Sequence, residues 1–359
     1  MKRIHAFLAR ALVLLVGAMV LVRAFAALAA NCNTVTEESR PILLGVSGGN
    51  LGSIGGGFCC TGTLGSLVQA GSTQYILANN HVLATKSGSQ LVIQPGLADL
   101  RCVQNSGYGV ADGISDISIS PSTTNTVDAA IARVISGEVN SSGQILNIGN
   151  VAAGNAVTPT LNLAVQKMGR TTCVTSGRVT AVNVTIRVAY PTYCSLTFSG
   201  TATFANQIQI SPPGFSAAGD SGSLVVTTGS CPGAVGLLFA GSNTSTFANP
   251  MSTVLADFGA KMVGKTCTPT HSPTGIPRTA SSAPNRTDVA TAAAVKQRHE
   301  AGLMAQPGVL GTGVGVSGQG QPVIKVYVEK ATPAVLASIP SVLESLPVQI
   351  EETGPIVAY

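Results

Sequence analysis

Three side chains that could together perform nucleophilic catalysis lie far apart in the sequence: His81, Asp128 and Ser221. A serine hydroxyl is a weak nucleophile at neutral pH, and an adjacent imidazole can activate it by taking its proton. A carboxylate that binds the other imidazole nitrogen fixes the tautomer that accepts this proton. The residue types therefore permit acyl transfer, provided that the fold brings the three side chains together.

Ser221 lies in a short segment rich in glycine, which reads Gly219-Asp220-Ser221-Gly222-Ser223 and precedes the apolar run 224–226. Glycine tolerates the backbone conformations of a tight turn, which would expose the serine hydroxyl. The same turn would let the amides of Gly219 and Ser221 point at one spot and form an oxyanion hole. A simple surface turn would also tolerate these residues.

His81 and Asp128 each lie where the surrounding sequence could hold a side chain in place. His81 is the only histidine between residues 41 and 264, and it follows the β-type run 75–77, so we expect it at a strand end. A hydrogen-bonded loop histidine is the alternative interpretation. Asp128 lies among small and apolar residues, where a charge is costly unless a partner binds it. An imidazole N–H would be such a partner; a helix cap or a calcium ligand is the alternative.

The order His, Asp, Ser, with separations of 47 and 93 residues, resembles that of chymotrypsin-fold, trypsin-like serine proteases. The sequence is especially similar to a bacterial group related to the plant narrow-leaf trypsin-like proteins, over residues 41–264. The motifs that carry the resemblance are Asn79-Asn80-His81-Val82-Leu83-Ala84, Gln94-Pro95-Gly96, Val127-Asp128-Ala129-Ala130-Ile131-Ala132, Gly169-Arg170-Thr171-Thr172, Gly219-Asp220-Ser221-Gly222-Ser223 and Gly236-Leu237-Leu238-Phe239-Ala240-Gly241. The resemblance implies an all-β fold, a chymotrypsin-like double β-barrel in which two six-stranded barrels meet at a cleft.

Carried over by position, the resemblance implies a role for each catalytic residue. It makes His81 the general base, Asp128 the group that orients it, and Ser221 the nucleophile. It makes the amides of Gly219 and Ser221 the donors of the oxyanion hole. The second glycine that is usual after the serine motif is replaced by Ser223, downstream of those donors.

The resemblance also implies the walls of a primary specificity pocket. Phe215, within residues 214–218, would line one wall, and Phe239, Ala240 and Gly241 would line the other. Neither wall contains an acid that could receive Lys or Arg. We therefore expect a small or apolar residue before the cleaved bond.

Activation by a newly freed N-terminus is not expected. In animal trypsins that terminus pairs with the acid before the serine, which corresponds to Asp220. Here Arg40 is followed by Pro41, and trypsin-like enzymes cut poorly before proline.

Composition and charge exclude several classes of protein. The 359 residues include 45% hydrophobic and only 10% charged residues, with 41 glycines and no tryptophan, which favours a folded chain of short strands and turns. The net charge of +5 arises mostly from four basic residues within residues 1–30, and the remainder has 16 basic and 15 acidic residues. Neither nucleic acid nor an anionic membrane is therefore expected as a main partner.

Residues 1–30 have the three parts of a secretory signal peptide, namely a basic start, the apolar run 11–22 and small residues at the end. An uncleaved membrane anchor is the alternative, although twelve apolar residues fall short of the roughly 20 that span a bilayer. We expect a secreted or periplasmic protein that does not contact a membrane once the signal is removed. The eight cysteines then predict disulfides rather than structural zinc, with Cys173–Cys194 and Cys231–Cys267 as plausible pairs.

Beyond the signal peptide, the pattern changes twice along the chain. Residues 31–267 read as the protease domain, and residues 268–287 as a linker rich in Pro, Ser and Thr. Residues 288–359 predict a small α+β domain with helices at 289–305 and 333–346 and strands at 309–316, 323–328 and 348–352. The segment 313–318 matches G-x-G-x-x-G, but it leads into another strand, so a hairpin turn is favoured over a dinucleotide site.

These observations predict an exported serine endopeptidase that acts on protein or peptide substrates and needs no metal or cofactor. The alternative is a catalytically silent, protease-like scaffold that binds a protein or peptide, since a fold alone does not establish activity. The C-terminal domain could serve as a partner-binding module or as a segment that covers the cleft. His299, on its first predicted helix, is interpreted as part of a solvated face.

Overall fold

A computed structural model describes residues 32–269 and 286–359 of the chain. The predicted signal peptide, residues 1–30, and most of the predicted linker lie outside the described residues, as does His271. Residues 35–359 form one compact unit. No helix in the described ranges is long and apolar enough to span a membrane.

The first half of this unit is a curled antiparallel sheet. Its strands are β1 Val46–Asn50, β4 Gly62–Leu64, β5 Ser66–Ala70, β6 Thr73–Ala78, β7 Val92–Ile93, β8 Gly109–Asp116 and β9 Ala130–Val134. Strands β2 Ile54–Gly55 and β3 Phe58–Cys59 form a separate hairpin. Strands β4 and β5 are separated only by Gly65, β5 pairs with β6, and β4 pairs with β1. With β4 and β5 counted as one bent strand, the order β5-β6-β9-β8-β7-β1-β4 closes a six-stranded barrel.

The second half is also a closed antiparallel barrel. Its strands are β10 Ala164–Lys167, β11 Thr175–Tyr190, β12 Gly200–Ser211, β13 Leu224–Thr227, β14 Ala234–Gly241 and β15 Thr246–Pro250. The next strand, β16 Lys261–Met262, pairs with β5 of the first barrel. The order β10-β13-β14-β15-β12-β11 closes because β10 also pairs with β11. The predicted all-β fold with two six-stranded barrels is therefore confirmed.

The C-terminal part continues the sheet of the second barrel. Its strands are β17 Val309–Val316, β18 Pro322–Val328, β19 Val342–Leu343, β20 Leu346–Glu352 and β21 Val357–Ala358. Strand β17 pairs antiparallel with β11, and β18 and β20 extend the sheet outward. Ala292 and Val295 share one apolar cluster with Val225 of the barrel and Val326 of β18. The barrel and the C-terminal part therefore share a core.

Within the described ranges, the α-helices are α1 Asn80–Leu83, α2 Met251–Asp257, α3 Arg286–Met304 and α4 Pro333–Ser338. The predicted helix over residues 333–346 is wrong in its second half. Thr332 caps α4 by accepting a hydrogen bond from the Val335 amide, but Ile339 is already extended, with φ −103° and ψ 123°. Pro340 follows, and the residue before a proline is disfavoured in the helical region. The chain then forms β19 instead.

The described disulfides correct one predicted pairing. Cys231 pairs with Cys267, as predicted, whereas Cys194 pairs with Cys60 and not with Cys173. Cys173 lies just before the start of β11 and Cys194 lies beyond its other end. Sixteen residues of extended strand therefore separate them. A further disulfide joins Cys59 to Cys102, and Cys32 and Cys173 are disulfide-bonded as well.

Candidate active site

The three predicted catalytic residues come from both barrels and lie at the cleft between them. His81 is in α1, directly after β6, and Asp128 lies just before β9. These strands pair with Ala78 opposite Ala130, so both residues lie at the same barrel edge. Ser221 precedes β13 of the second barrel, and its carbonyl accepts a hydrogen bond from the Thr63 amide at 2.8 Å.

The imidazole of His81 and the carboxylate of Asp128 form a buried pair. The His81 Nδ1 atom lies 2.6 Å from Asp128 Oδ2, and the two side chains are 7% and 0% exposed. Asn79 donates to the Asp128 carbonyl at 2.7 Å, and Asn249 accepts from the Asp128 amide at 3.0 Å. These contacts fix the backbone on either side of the carboxylate, so the imidazole meets a positioned acceptor.

Tyr190 is a further contact of this pair that the sequence analysis missed. Its hydroxyl donates to Asp128 Oδ2 at 2.8 Å, and its ring lies edge-on to the His81 ring with centroids 5.8 Å apart. Burial, together with the Asp128 charge, raises the pKa of Tyr190 well above its ordinary value, so the phenol stays protonated as a donor. Tyr190 ends β11, and only the pairing of the barrels places it beside Asp128.

Replacing Tyr190 by Phe should reduce turnover by about tenfold, the scale of one lost hydrogen bond to a charged group. The Asp128 carboxylate would lose a donor, bind the imidazolium more tightly and raise the pKa of His81. The measurement is the pH profile of the rate for Tyr190→Phe against that for Tyr75→Phe, a tyrosine of β6 that does not line the cavity beside His81. A Tyr190→Phe profile identical to that of the parent would contradict a positioning role.

The contacts of His81 require protons on both ring nitrogens. Nδ1 faces the Asp128 carboxylate, and Nε2 lies 2.9 Å from the carbonyl oxygen of Tyr359. Both oxygens can only accept, so each nitrogen must donate. Burial opposes the charged ring, but Asp128 and the Tyr359 carbonyl outweigh it and raise the pKa of His81 above its ordinary 6.5. In this state the imidazole cannot accept a proton from a serine.

A titration of His81 followed by NMR should therefore have a midpoint above pH 6.5. Because the folded pKa is raised, the protonated ring adds stability at lower pH, and this stability is lost as the pH rises through that midpoint. The neutral base becomes available in the same pH range. In Asp128→Asn, burial would dominate and move the midpoint below that of the parent. A parent midpoint at or below 6.5 would contradict the described contacts.

Gly219 has the positive φ expected of a tight turn, but Ser221 is fully buried, so the expected exposure of its hydroxyl is wrong. The Gly219 φ angle is +97°, and an added Cβ would come within 2.5 Å of Thr171 Oγ1 and 2.7 Å of Arg170 Nη1. Neither the Gly219 amide nor the Ser221 amide donates to a residue within the described ranges. Within the described part of the chain, the Ser221 hydroxyl donates to the Phe239 carbonyl at 3.1 Å and not to His81.

The predicted pocket walls contribute to the cleft in different ways. Phe215 is 1% exposed and belongs to the core of the second barrel. The Phe239 ring is also buried, 5.0 Å from the Phe204 ring, so the backbone of Phe239 rather than its side chain borders the cleft. Ala240 and Gly241 form the end of β14. A cavity of about 240 Å³ is lined by His81, Gly219 and Tyr359 among others, and none of the four predicted wall residues is in its lining.

No protein-family model and no curated protein sequence matches the chain. Solved structures of similar fold include a glutamic acid specific serine protease, with 23% identity over 62% of this chain and 100% of that chain, at a TM-score of 0.41. Protease A of Thermobifida fusca is 20% identical over 62% and 99% of the two chains, at a TM-score of 0.42. A Cellulomonas bogoriensis chymotrypsin is 21% identical over 62% and 99%, at 0.39. The two closed six-stranded barrels of this chain make its fold chymotrypsin-like.

Within this chymotrypsin-like fold, the acid before the serine is neutralised from inside the second barrel. Asp220 is fully buried and lies 3.3 Å from Nζ of Lys167, which is also fully buried. The Asp220 carboxylate also accepts from the amides of Thr171, Thr172 and Ala217, at 2.8 to 3.1 Å. Burial lowers the pKa of Lys167, and the carboxylate opposes that shift. The acid thus has a cationic partner in the chain without a freed N-terminus.

Lys167 was not predicted as a site residue, although the sequence carries a signal for it. The run Val165-Gln166-Lys167-Met168 alternates like a half-buried strand, which would place Lys167 on the same face as Val165, toward the core. A lysine on a core face needs a buried acid, and Asp220 is one.

The structure also gives the positions of segment 313–318 and of His299. The glycines of segment 313–318 lie in β17 and at the start of its turn to β18, so the predicted hairpin is confirmed. His299 lies on α3 and contacts Glu344 at 2.9 Å. Among the described residues, no group of three or more His, Cys, Asp or Glu side chains is placed to hold a metal ion.

Proposed function

We propose that the chain is a serine endopeptidase that hydrolyses peptide bonds through an acyl-enzyme intermediate. The observation that carries the proposal is the buried pair of His81 and Asp128, which one residue, Tyr359, links to the Phe239 oxygen that accepts from the Ser221 hydroxyl. Burial of a carboxylate against an imidazole at 2.6 Å is costly unless the pair is used or fully compensated. A general base held by a carboxylate beside a serine is the arrangement that acyl transfer needs.

In the proposed reaction, the neutral imidazole of His81 takes the proton of Ser221 as its Oγ attacks the peptide carbonyl. The carbonyl oxygen becomes an oxyanion, which the amides of Gly219 and Ser221 are free to bind. His81 then gives the proton to the leaving amine, and the peptide C–N bond breaks to leave an acyl-enzyme. Water, deprotonated by the same imidazole, releases the acyl group and restores the Ser221 hydroxyl. Asp128 holds Nδ1–H throughout and stabilises the imidazolium.

The proposal includes export to an oxidising compartment, outside the cell or in the periplasm. Three disulfides are described, and Cys32 and Cys173 are bonded as well. Such bonds persist where thiols are not kept reduced, which supports export. Bacterial origin and removal of residues 1–30 as a signal peptide belong to the same proposal.

The test is labelling of the purified protein with a fluorophosphonate, with the modified residue located by mass spectrometry. The reagent loses fluoride when an activated serine attacks its phosphorus. We expect label on Ser221 that is absent from Ser221→Ala and His81→Ala. Ser223→Ala is the matched control, since Ser223 is also a fully buried serine of this turn and should not affect labelling.

The second candidate function is a binding scaffold without turnover. Two observations favour it: the Ser221 hydroxyl donates to the Phe239 carbonyl, and His81 Nε2 is occupied by a backbone oxygen of Tyr359 at 2.9 Å. A folded protein that is never labelled, even after residues 356–359 are removed, would reject the endopeptidase in favour of the scaffold.

A further inference from the structure

The last residues of the chain lie in the cleft as an added strand. Val357 is opposite Gly241 and Ala358 is opposite Ala240 in an antiparallel pairing of β21 with β14. On the other side, the Ala189 amide of β11 donates to the Ile356 carbonyl at 2.9 Å. Ile356 is 2% exposed and packs in the apolar cluster of the second barrel. An extended segment that joins a sheet in this way is bound as a peptide ligand would be.

The backbone of Tyr359 meets the groups proposed for catalysis. Its amide donates to the Phe239 carbonyl at 3.3 Å, the same oxygen that accepts from the Ser221 hydroxyl at 3.1 Å. Its carbonyl oxygen accepts from His81 Nε2 at 2.9 Å. The backbone of Tyr359 is therefore hydrogen-bonded to the proposed base and to the same Phe239 oxygen that binds the proposed nucleophile.

The side chain of Tyr359 lies against the predicted pocket wall. A Cβ added to Gly241 would come within 2.3 Å of the Tyr359 hydroxyl and within 2.6 Å of its ring carbons. The hydroxyl donates to the Ser242 carbonyl at 3.1 Å, and Ser216 also hydrogen-bonds the phenol. The absence of a side chain at Gly241 leaves the volume that the ring fills, and polar groups meet the ring at its tip.

We propose that this pocket binds an aromatic side chain, and that residues 356–359 are its built-in ligand, which occupies the cleft of the folded chain. The proposal rests on the proposed function for its consequence that substrates are cut after Tyr or Phe. The expectation from sequence was a small or apolar residue before the cleaved bond, and it rested on the missing acid alone. The volume beside Gly241, which the Tyr359 ring fills, changes that expectation to an aromatic residue.

The charge around the pocket favours a neutral ring over a basic side chain. Burial raises the pKa of Tyr359, Ser216 opposes the shift, and the charge of Asp220 adds to it. Asp220 is already paired with Lys167 and bonded by three backbone amides. Its charge is thus compensated, and a lysine or arginine in the pocket would have no free acid to meet.

The first experiment measures binding without catalysis. Two proteins carry Ser221→Ala, one with the full chain and one lacking residues 356–359. Each is titrated with fluorescein-labelled Ile-Val-Ala-Tyr, Ile-Val-Ala-Gly or Ile-Val-Ala-Arg, and anisotropy is measured. We expect the shortened protein to prefer the Tyr peptide by about tenfold or more. We expect the full chain to bind the same peptide about tenfold or more weakly, because its own segment competes.

Two point variants keep the test decisive if the shortened chain does not fold. Tyr359→Gly removes only the ring and should admit the Tyr peptide. Gly241→Val, made in the Tyr359→Gly protein, should abolish that binding, whereas Gly318→Val is the control because a Cβ there meets open space. Equal affinity for the three peptides, preference for the Arg peptide, or no effect of Gly241→Val would overturn the pocket assignment.

A second readout separates this proposal from the proposed function. With Ser221 intact, removal of residues 356–359 should speed fluorophosphonate labelling by about tenfold or more, since the cleft is emptied and His81 is released. Preferential binding of the Tyr peptide without labelling would reject the endopeptidase and retain the aromatic pocket. Labelling that is equally fast in the full and shortened chains, with no preference for the Tyr peptide, would reject the aromatic pocket and retain the endopeptidase.

Discussion

Asp128→Asn should lower the turnover of dye-quenched casein by about 10⁴-fold while the protein remains folded. The amide has nearly the shape of the carboxylate, but it carries no charge to stabilise the His81 imidazolium. If its oxygen keeps the contact with Tyr190, its NH₂ group faces the His81 amide, which lies 3.4 Å from Oδ1. If the NH₂ group instead lies at the Oδ2 position, it donates to His81 Nδ1. The ring then has its proton on Nε2 and cannot accept the serine proton.

Asp112→Asn is the matched control for this prediction. Asp112 also lies in the first barrel and also pairs with a basic residue, Arg133 at 2.8 Å, but its side chain is 40% exposed. Its turnover and fluorophosphonate labelling should equal those of the parent. A loss of less than tenfold in folded Asp128→Asn protein would show that the carboxylate does not assist the base.

Lys167→Met should destabilise the protein by about 3–5 kcal/mol, the scale of a buried ion pair that loses one partner. Methionine has a similar volume, so the main effect is an uncompensated charge on Asp220. That carboxylate keeps its backbone hydrogen bonds, which limits the loss without removing the cost of burial. Because Asp220 precedes Ser221, we also expect slower labelling in whatever fraction stays folded. Urea unfolding followed by circular dichroism measures the change.

The double variant Lys167→Met, Asp220→Asn separates charge from packing. Removing both charges should recover part of the lost stability, since no unpaired ion remains buried. Lys261→Met, at an exposed lysine, should change the unfolding free energy by only about 0.5 kcal/mol or less. If the double variant is less stable than Lys167→Met by the full cost of Asp220→Asn alone, the two residues do not interact.

The sequence was sufficient to predict the two barrels. Short apolar runs between turn residues have the period of strands, and they recur over more than 200 residues. The glycines around Ser221 also predict a tight turn. The pairing of Cys194 was less accessible, because it depends on how long β11 runs before the chain turns. That strand runs for 16 residues and so keeps Cys173 and Cys194 apart.

Contacts made by strand pairing between distant segments were the part that sequence could not predict. Tyr190 reaches Asp128 across 62 residues, and Tyr359 reaches His81 across 278. Nothing in the residues near Tyr359 marks a ligand; its meaning comes from the register of β21 against β14. Deleting the whole C-terminal domain would have been a natural test from sequence. The shared core, in which Val326 and Val225 belong to one cluster, makes removal of residues 356–359 the sharper change.

The strand β21 is covalently part of the protein whose cleft it occupies, and this sets how a competitor can act. A tethered segment acts at a fixed local concentration, which is on the order of millimolar for short flexible tethers, whatever the concentration of the protein. Dilution therefore does not empty the cleft. A free peptide of equal intrinsic affinity has to exceed that local concentration to displace the segment, whereas one cut in the tether would turn it into a ligand that diffuses away.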